Sequence, residues 1–440
     1  MLTIAKFGGS SLSTESQFLK VKKIVQADPD KKIVVVSAIG RKNQEDDKVT
    51  DLLYLIAAHV KHGVSYQALW DNFAARFIAV KEELHLHFDL TSCLTLLKNQ
   101  LDTDNCTEDY LVSRGEFLTA QLMAEYLGYT FLDASEIIAF SANGEIDLEQ
   151  SRNLLEEKFS GSEKYVIPGF YGAYENGRIK LLSRGGSDIT GAILANCLNA
   201  DKYENWTDVS GVLMADPRIV EQPRAIKELT YEELSELSYM GASVLHENTI
   251  YPIRMLKIPL YIKNTNAPDD KGTPIIEKHA SNDVQIAGIS GKKDYLSITI
   301  VKDQMATEVG FLQRTLKIFE DYQLNIEHIP TGIHQVGIVL EKAAVENVLL
   351  ELLERLKNEL NADDISVKED LSLLSVVGEE IVRSAKITSK IFSALAKENV
   401  TIELIAQSPR GISVIIGVSN QDYQKSLIAL YKELNELSED

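Results

Sequence analysis

LLSRGGSD, Leu181–Asp188, runs from an apolar strand end into a cation, two glycines and an acid. Two other stretches share this design: KFGGSS at Lys6–Ser11 and NWTDVSGVLMADPR at Asn205–Arg218 each pass from an apolar run into a polar turn marked by glycine. Glycine lets backbone N–H groups approach oxygen atoms, a helix N-terminus favours negative charge, and Lys and Arg supply cations. Holding a polyphosphate, a metal ion and a small anionic acceptor side by side requires three such turns. The combination points to phosphoryl-transfer chemistry.

Outward from these turns the chain alternates short β-branched runs with helical patterns up to about residue 285. LTIAKF, KKIVVVSAIG, KYVIPGFYG, RIKLLS and IPLYIKN are the clearest strands, and Phe117, Leu118, Gln121, Leu122 and Tyr126 recur at helical spacing within Gly115–Leu127. Strands buried on both faces and separated by helices predict a layered α/β sheet with ligands at the carboxyl ends of its strands. Beyond residue 285 the texture changes. YLSITIV, a helix over Val309–Tyr322, NIEHIPT, QVGIVLE, a helix over Ala344–Leu360 and DISVKED make one pass. LSLLSVVG, a helix over Ser384–Glu398, VTIELIAQS, GISVIIGVS and a helix over Gln421–Leu434 make a second that lacks a final strand. VQIAGISGK, residues 284–292, supplies the missing strand if the repeats interlock, the first inserted into the second.

With 440 residues, 45% of them apolar, the chain is long enough for two to four domains; three is the working count. The boundaries expected are 1–283, 294–370, and 284–293 with 371–440. A net charge of −20 argues against nucleic acid or an anionic membrane as partner. MLTIAKFGGSS has no signal-peptide pattern, and no window approaches the ~20 apolar residues that span a bilayer, so a cytoplasmic location is expected. Cys93, Cys106 and Cys197 are scattered and read as reduced thiols.

Each motif also has a plainer reading. KFGGSS lacks the GxxxxGK[ST] spacing of a P-loop and is equally a tight turn with a capping serine; SRGE, Ser113–Glu116, reads as the acidic start of a helix. SRGGSD is stronger: Arg184 can grip a carboxylate with its fork, Gly185 and Gly186 admit close backbone approach, and Asp188 adds an acid near a helix start. Asp216-Pro217-Arg218 is a common turn starter, though after Thr207 and Asp208 it can clasp a nucleotide. The histidines show neither a metal pattern nor a triad order, and the first strand is not followed by GxGxxG.

Together these residues resemble the aspartokinase family. KFGGSS, VVVSAIG with VTDLL at 49–53, SRGE, SRGGSD, NWTDVSG with DPR, and YMGASVLHENTI at 239–250 occur in that family's order, and the C-terminal repeat looks like its paired ACT domains. The resemblance implies an amino-acid-kinase αβα sandwich followed by two ferredoxin-like α+β ACT domains. It also implies transfer of the ATP γ-phosphoryl group to the β-carboxylate of L-aspartate. Lys6 would stabilise the transferring group, with Gly8, Gly9 and Ser10 on its oxygens, and Asp188 would organise Lys6. Arg184, with Gly185, Gly186 and Ser187, would hold the α-carboxylate and Glu116 the ammonium group, while Ser37 and Thr50 complete the acceptor pocket. Thr207, Asp208, Asp216 and Arg218 would contact the nucleotide, and Mg²⁺ would enter through the ATP phosphates without a dedicated metal site. Ser243 and Leu213 depart from the lysine and the aromatic residue frequent there. Alternatives left open are a kinase for glutamate or acetylglutamate and a catalytically silent amino-acid sensor.

For regulation, the resemblance maps an amino-acid effector, lysine first and threonine next, onto Met305, Glu308, Gly310, Phe311, Leu312, Ile326 and Glu327 of the first repeat. Glu327 is equally a solvent-facing strand carboxylate. A homodimer through the ACT repeats, with a tetramer as the larger assembly, completes the expectation.

Overall fold

The computed structural model describes residues 1–43, 45–103, 106–183, 185–242, 245, 249–279, 286–379 and 381–435. The chain divides into two compact units. Unit 1 comprises Met1–Val212, Lys227–Tyr231 and Val244–His279; unit 2 comprises Leu213–Ile226, Glu232–Ser243 and Ala280–Asp440.

Unit 1 is built on an eight-stranded sheet of β1 (Thr3–Phe7), β2 (Ile33–Val36), β3 (Thr130–Phe131), β6 (Tyr165–Pro168), β9 (Lys202–Thr207), β10 (Leu229–Thr230), β11 (Leu260–Asn264) and β12 (Thr273–Ile276). Their order is β10-β12-β11-β9-β1-β2-β6-β3. Every residue of β1 and β2 is buried, the continuous burial expected of parallel strands covered on both faces. A four-stranded sheet of β4 (Ala139–Phe140), β5 (Ile146–Asp147), β7 (Tyr171–Tyr174) and β8 (Ile179–Leu181) is separate. KYVIPGFYG is thus two strands, parted at Gly169–Phe170 where Phe170 takes the left-handed φ of 80°, and RIKLLS belongs to the smaller sheet.

The helices α1 (Glu15–Gln26), α2 (Val49–Lys61), α3 (Gln67–Glu83), α4 (Leu90–Asp102) and α5 (Glu108–Leu127) cover the sheet through one apolar cluster that includes Phe7, Phe18, Phe73 and Trp206. Helices α6 (Leu148–Lys158) and α7 (Gly186–Cys197) follow. Helix α5 corrects the reading of SRGE as a helix start. Its N-cap is Thr107, whose hydroxyl accepts the Tyr110 N–H, and Glu108 and Asp109 fill its first turn. Ser113–Glu116 therefore lies in the buried middle of a helix.

Unit 2 holds a five-stranded antiparallel sheet of β13 (Gly288–Val301), β14 (Gln335–Glu341), β15 (Asp364–Val377), β16 (Leu404–Gln407) and β17 (Ser413–Ser419), ordered β14-β13-β15-β17-β16. The long strands β13 and β15 run through both repeats. Ser297–Val301 pairs with Asp364–Lys368 in the first repeat, and Gly288–Lys292 pairs with Leu373–Val377 in the second. The segment before the first repeat thereby joins the sheet of the second, as interlocking requires. Leu296, Ile298, Ile300, Phe311, Phe319, Leu352 and Leu356 form the core under the first repeat. NIEHIPT departs from expectation: only the isolated bridges His328–Val339 and Thr331–Val336 form, because Pro330 has no N–H for a ladder. Among the described residues no helix is long and apolar enough to cross a membrane.

Candidate active site

Strands β1, β2, β6, β9 and β11 run parallel, so their carboxyl ends share one edge of the sheet. The ladder continues one residue past the strands and ties the exit loops to one another. Gly8 N–H donates to the Trp206 carbonyl at 3.0 Å, Ser37 N–H to Phe7 at 3.1 Å, Gly169 N–H to Val36 at 2.9 Å and Thr265 N–H to Thr207 at 2.8 Å. KFGGSS, Ser37–Gly40 and Thr207–Asp208 therefore line the edge where open α/β sheets bind ligands. Gly8 enters a single 3₁₀ turn, Gly9–Leu12, and α1 begins only at Glu15, so the N–H groups expected to face a phosphate belong to that turn and not to α1.

Lys6 sits within β1 and is 7% exposed. A buried ammonium is costly unless paired, and its partner is Asp188, with Nζ 2.5 Å from Oδ1. Asp188 occupies the first turn of α7, where the helix dipole favours a carboxylate. Gly185 caps that helix with a left-handed φ of 75°, and Gly186 and Ser187 are buried behind it. Asn205 of β9 also donates to Asp188 Oδ1, at 2.8 Å. Sequence reasoning quoted Asn205 within its motif but gave it no role; in KYENWT it is one of several polar residues, and no local signal sets it apart.

Glu116, in the middle of α5, is 4% exposed. The Ala38 N–H donates to its carboxylate and the Lys6 ammonium acts on it, yet burial dominates and pushes its pKa up to about 8. Its Oε2 has no hydrogen-bond partner. The loop after β2 is fixed to the same helix: Ile39 N–H donates to Thr119 Oγ1 at 3.1 Å, and a Cβ on Gly115 would lie 3.0 Å from both Ala38 Cβ and Val49 Cγ1. Thr50, in the first turn of α2, thereby stands beside the loop that carries Ser37.

Lys6, Asp188 and Glu116 are therefore brought together from three elements, with Ser37 and Gly8 on exit loops, Gly9 and Ser10 in the 3₁₀ turn and Thr50 in the first turn of α2. Thr207 and Asp208 end β9, the Thr207 hydroxyl 3.2 Å from Asp208 Oδ1. Arg184 and Ser243 lie outside the described residues. Asp216, Arg218 and Leu213 belong to unit 2. There Arg218 is held by Asp216 at 2.6 Å, and its side chain is 78% exposed. Of the residues expected to bind an effector, Met305 and Phe311 are core, Gly310 takes φ 82° at a helix N-terminus, and Leu312 is exposed. Glu308 pairs with Arg314, and Ile326 packs on the core. The Glu327 N–H donates to the Val339 carbonyl at 2.9 Å, whereas its Oε2 is buried and unpartnered. A cavity of about 1050 Å³ lies around Phe140 and Tyr174 on the smaller sheet and contains none of these residues.

Close packing at the edge gives one prediction. A Cβ on Gly40 would lie 2.1 Å from the Gly9 carbonyl oxygen, so Gly40→Ala must push the Gly9–Leu12 turn off its seat. Thermal unfolding should register a loss of about 1–3 kcal/mol, and steady-state assays a kcat reduced at least about tenfold. Unchanged unfolding and unchanged kcat would show that the two loops are not coupled.

A mostly parallel sheet with glycine turns at its carboxyl edge, a buried Lys–Asp pair and a buried carboxylate together point to a phosphotransferase of the amino-acid-kinase class. The profile described as "Amino acid kinase family" matches residues 1–264, and one described as "ACT domain" matches residues 374–434. Aspartokinase 3 of Bacillus subtilis is 36% identical over 98% of this chain and 98% of that protein. The crystal structure of Clostridium acetobutylicum aspartate kinase superposes with a TM-score of 0.90 at 42% identity, over 99% of this chain and 100% of that one. The chain belongs to the aspartokinase family. Escherichia coli aspartokinase III shares the fold at 23% identity. Its complex with aspartate and ADP gives a TM-score of 0.83 over 99% of this chain and 100% of that one, and its complex with lysine and aspartate gives 0.76 over 98% and 99%.

Proposed function

We propose that the protein transfers the γ-phosphoryl group of ATP to the β-carboxylate of L-aspartate, giving 4-phospho-L-aspartate and ADP, at the carboxyl edge of the eight-stranded sheet. The observation that carries this reading is the meeting of Lys6, Asp188 and Glu116 there, within a full-length aspartokinase likeness. The acceptor carboxylate is already nucleophilic, so no general base is needed; positioning and charge neutralisation remain as the tasks. Lys6 meets the charge on the transferring phosphoryl oxygens, and the N–H groups of Gly8, Gly9 and Ser10 add donors beside it. Glu116 receives the substrate ammonium, Arg184 with Gly185, Gly186 and Ser187 the α-carboxylate, and Ser37 and Thr50 close the acceptor pocket. Thr207 and Asp208 serve the nucleotide.

Mg²⁺ fits this donor set as an ion carried in on the phosphates. The exposed carboxylate of Asp208 offers the hard oxygen such an ion prefers. Bound there, Mg²⁺ would neutralise charge between the β- and γ-phosphates. ADP release measured with L-aspartate, L-glutamate, acetylglutamate or UMP as acceptor tests the reading. Release with aspartate alone supports it, release with another acceptor redirects it, and no release with any acceptor turns it into an amino-acid sensor.

Residues 1–283 are read as the catalytic domain, 294–370 as the first ACT domain, and 284–293 with 371–440 as the second. A cytoplasmic homodimer through the ACT repeats, or a tetramer of such dimers, is the assembly proposed. The effector is lysine or threonine, with its ammonium group on Glu327. Inhibition requires that the active and inactive conformations bind the effector with different affinity. Glu327→Ala should raise the lysine concentration for half-inhibition by about tenfold or more with kcat retained, since it removes a charged hydrogen-bond acceptor. Unchanged sensitivity to both amino acids removes Glu327 from the effector site.

A further inference from the structure

Lys6 of β1 and Asn205 of β9 are Cα partners in the parallel register, so their side chains leave the same face of the sheet. Both end on one atom, Asp188 Oδ1, with Lys6 Nζ at 2.5 Å and Asn205 Nδ2 at 2.8 Å. Asn205 is 3% exposed, and an amide that deep is costly unless bonded. Its orientation is fixed by chemistry, because a carboxylate oxygen only accepts and must face the NH₂ end. Two residues earlier on β9, the fully buried Tyr203 hydroxyl donates to the Asp188 backbone carbonyl at 3.0 Å. Strand β9 thus grips Asp188 at both backbone and side chain.

The grip matters because Lys6 has two anionic partners to choose between. A carboxylate held by Lys6 alone would move with it, or fold it back from an arriving phosphoryl group. A neutral amide anchors the carboxylate and leaves its full negative charge in place; a second cation would compete with Lys6 for that charge. We propose that Asn205 is a positioning residue for phosphoryl transfer, fixing the Asp188 carboxylate so that the Lys6 ammonium is presented to the transferring group. This rests on the roles given above to Lys6 and Asp188.

Two replacements of similar volume test it. Asn205→Leu keeps the bulk and loses the donor, so kcat should fall about 30-fold, the worth of one hydrogen bond to a charged group, while KM for aspartate and for ATP changes less than about threefold. Asn205→Asp places a second carboxylate beside Asp188, with Lys6 and the Tyr203 hydroxyl as the other titratable groups facing the pair. Two adjoining carboxyl groups raise the pKa of one of them, and the protonated member regains a donor. The kcat of Asn205→Asp should therefore be depressed at neutral and alkaline pH and recover as pH falls, a profile that a merely structural role would not produce.

A kcat within about twofold of wild type in Asn205→Leu, a loss confined to KM, or an Asn205→Asp pH profile parallel to wild type overturns the proposal. Asp188→Asn separates this from failure of the broader reading. If Asp188→Asn is inactive while Asn205→Leu is normal, only the positioning role falls; if Asp188→Asn is fully active, the role of Asp188 falls first.

Discussion

Lys6→Met should lower kcat by roughly 10³-fold, because it removes the one cation of β1, the group proposed to meet the transferring phosphoryl oxygens at a site where preorganised charge is the main source of rate. The prediction has a structural confound. Lys6 and Asp188 are a largely buried pair, with side chains 9% and 15% exposed, and removing one partner strands the other. Breaking such a pair costs about 3–5 kcal/mol, enough to imitate a catalytic loss by unfolding part of the sample. The double variant Lys6→Met/Asp188→Asn resolves this. Neutralising both groups removes the stranded charge, so thermal stability should return toward wild type while kcat stays at the level of the single variant. Recovery of both together would mean that Lys6 serves the fold and not the chemistry.

The same pair shows what sequence reading can and cannot reach. β1 and β2 are recognisable as uninterrupted apolar runs, and the glycine turns after them mark the binding edge, since burial on both faces leaves little else that such sequences can do. That Lys6 would meet Asp188 depends on β9 lying beside β1 and on α7 returning over both, and pairings between distant segments leave no local pattern. Family likeness, not periodicity, brought those residues into one expectation. SRGE was misplaced for a different reason. The apolar recurrence in α5 is clearest after Gly115, whereas the helix is started by Thr107 with Glu108 and Asp109, a capping signature that was legible and went unused. Asn205 escaped because its meaning lies in register: opposite Lys6 it is a second ligand of Asp188, and one residue along it would face the other side of the sheet.

Moving Glu116 from the start of α5 to its buried middle changes what its carboxylate should do with pH. With the pKa pushed up to about 8 from an ordinary 4.5, the folded protein holds a proton that the unfolded chain has released. Stability from this group is therefore complete below about pH 4.5 and is lost as pH rises through about 8. Function runs the opposite way. Only the ionised carboxylate can balance a substrate ammonium, so KM for aspartate should fall as pH rises from about 6 toward 8, and binding should release a proton that calorimetry in buffers of different ionisation enthalpy can count. Glu116→Gln keeps the shape and removes the titration. It should raise KM for aspartate by about 30-fold or more at pH 8, abolish both the pH dependence and the proton release, and gain stability relative to wild type as pH rises from about 6 to about 8. The stability and KM measurements are independent, which makes the result decisive: a gain in alkaline stability with unchanged KM would leave Glu116 a buried acid without a role in the acceptor pocket.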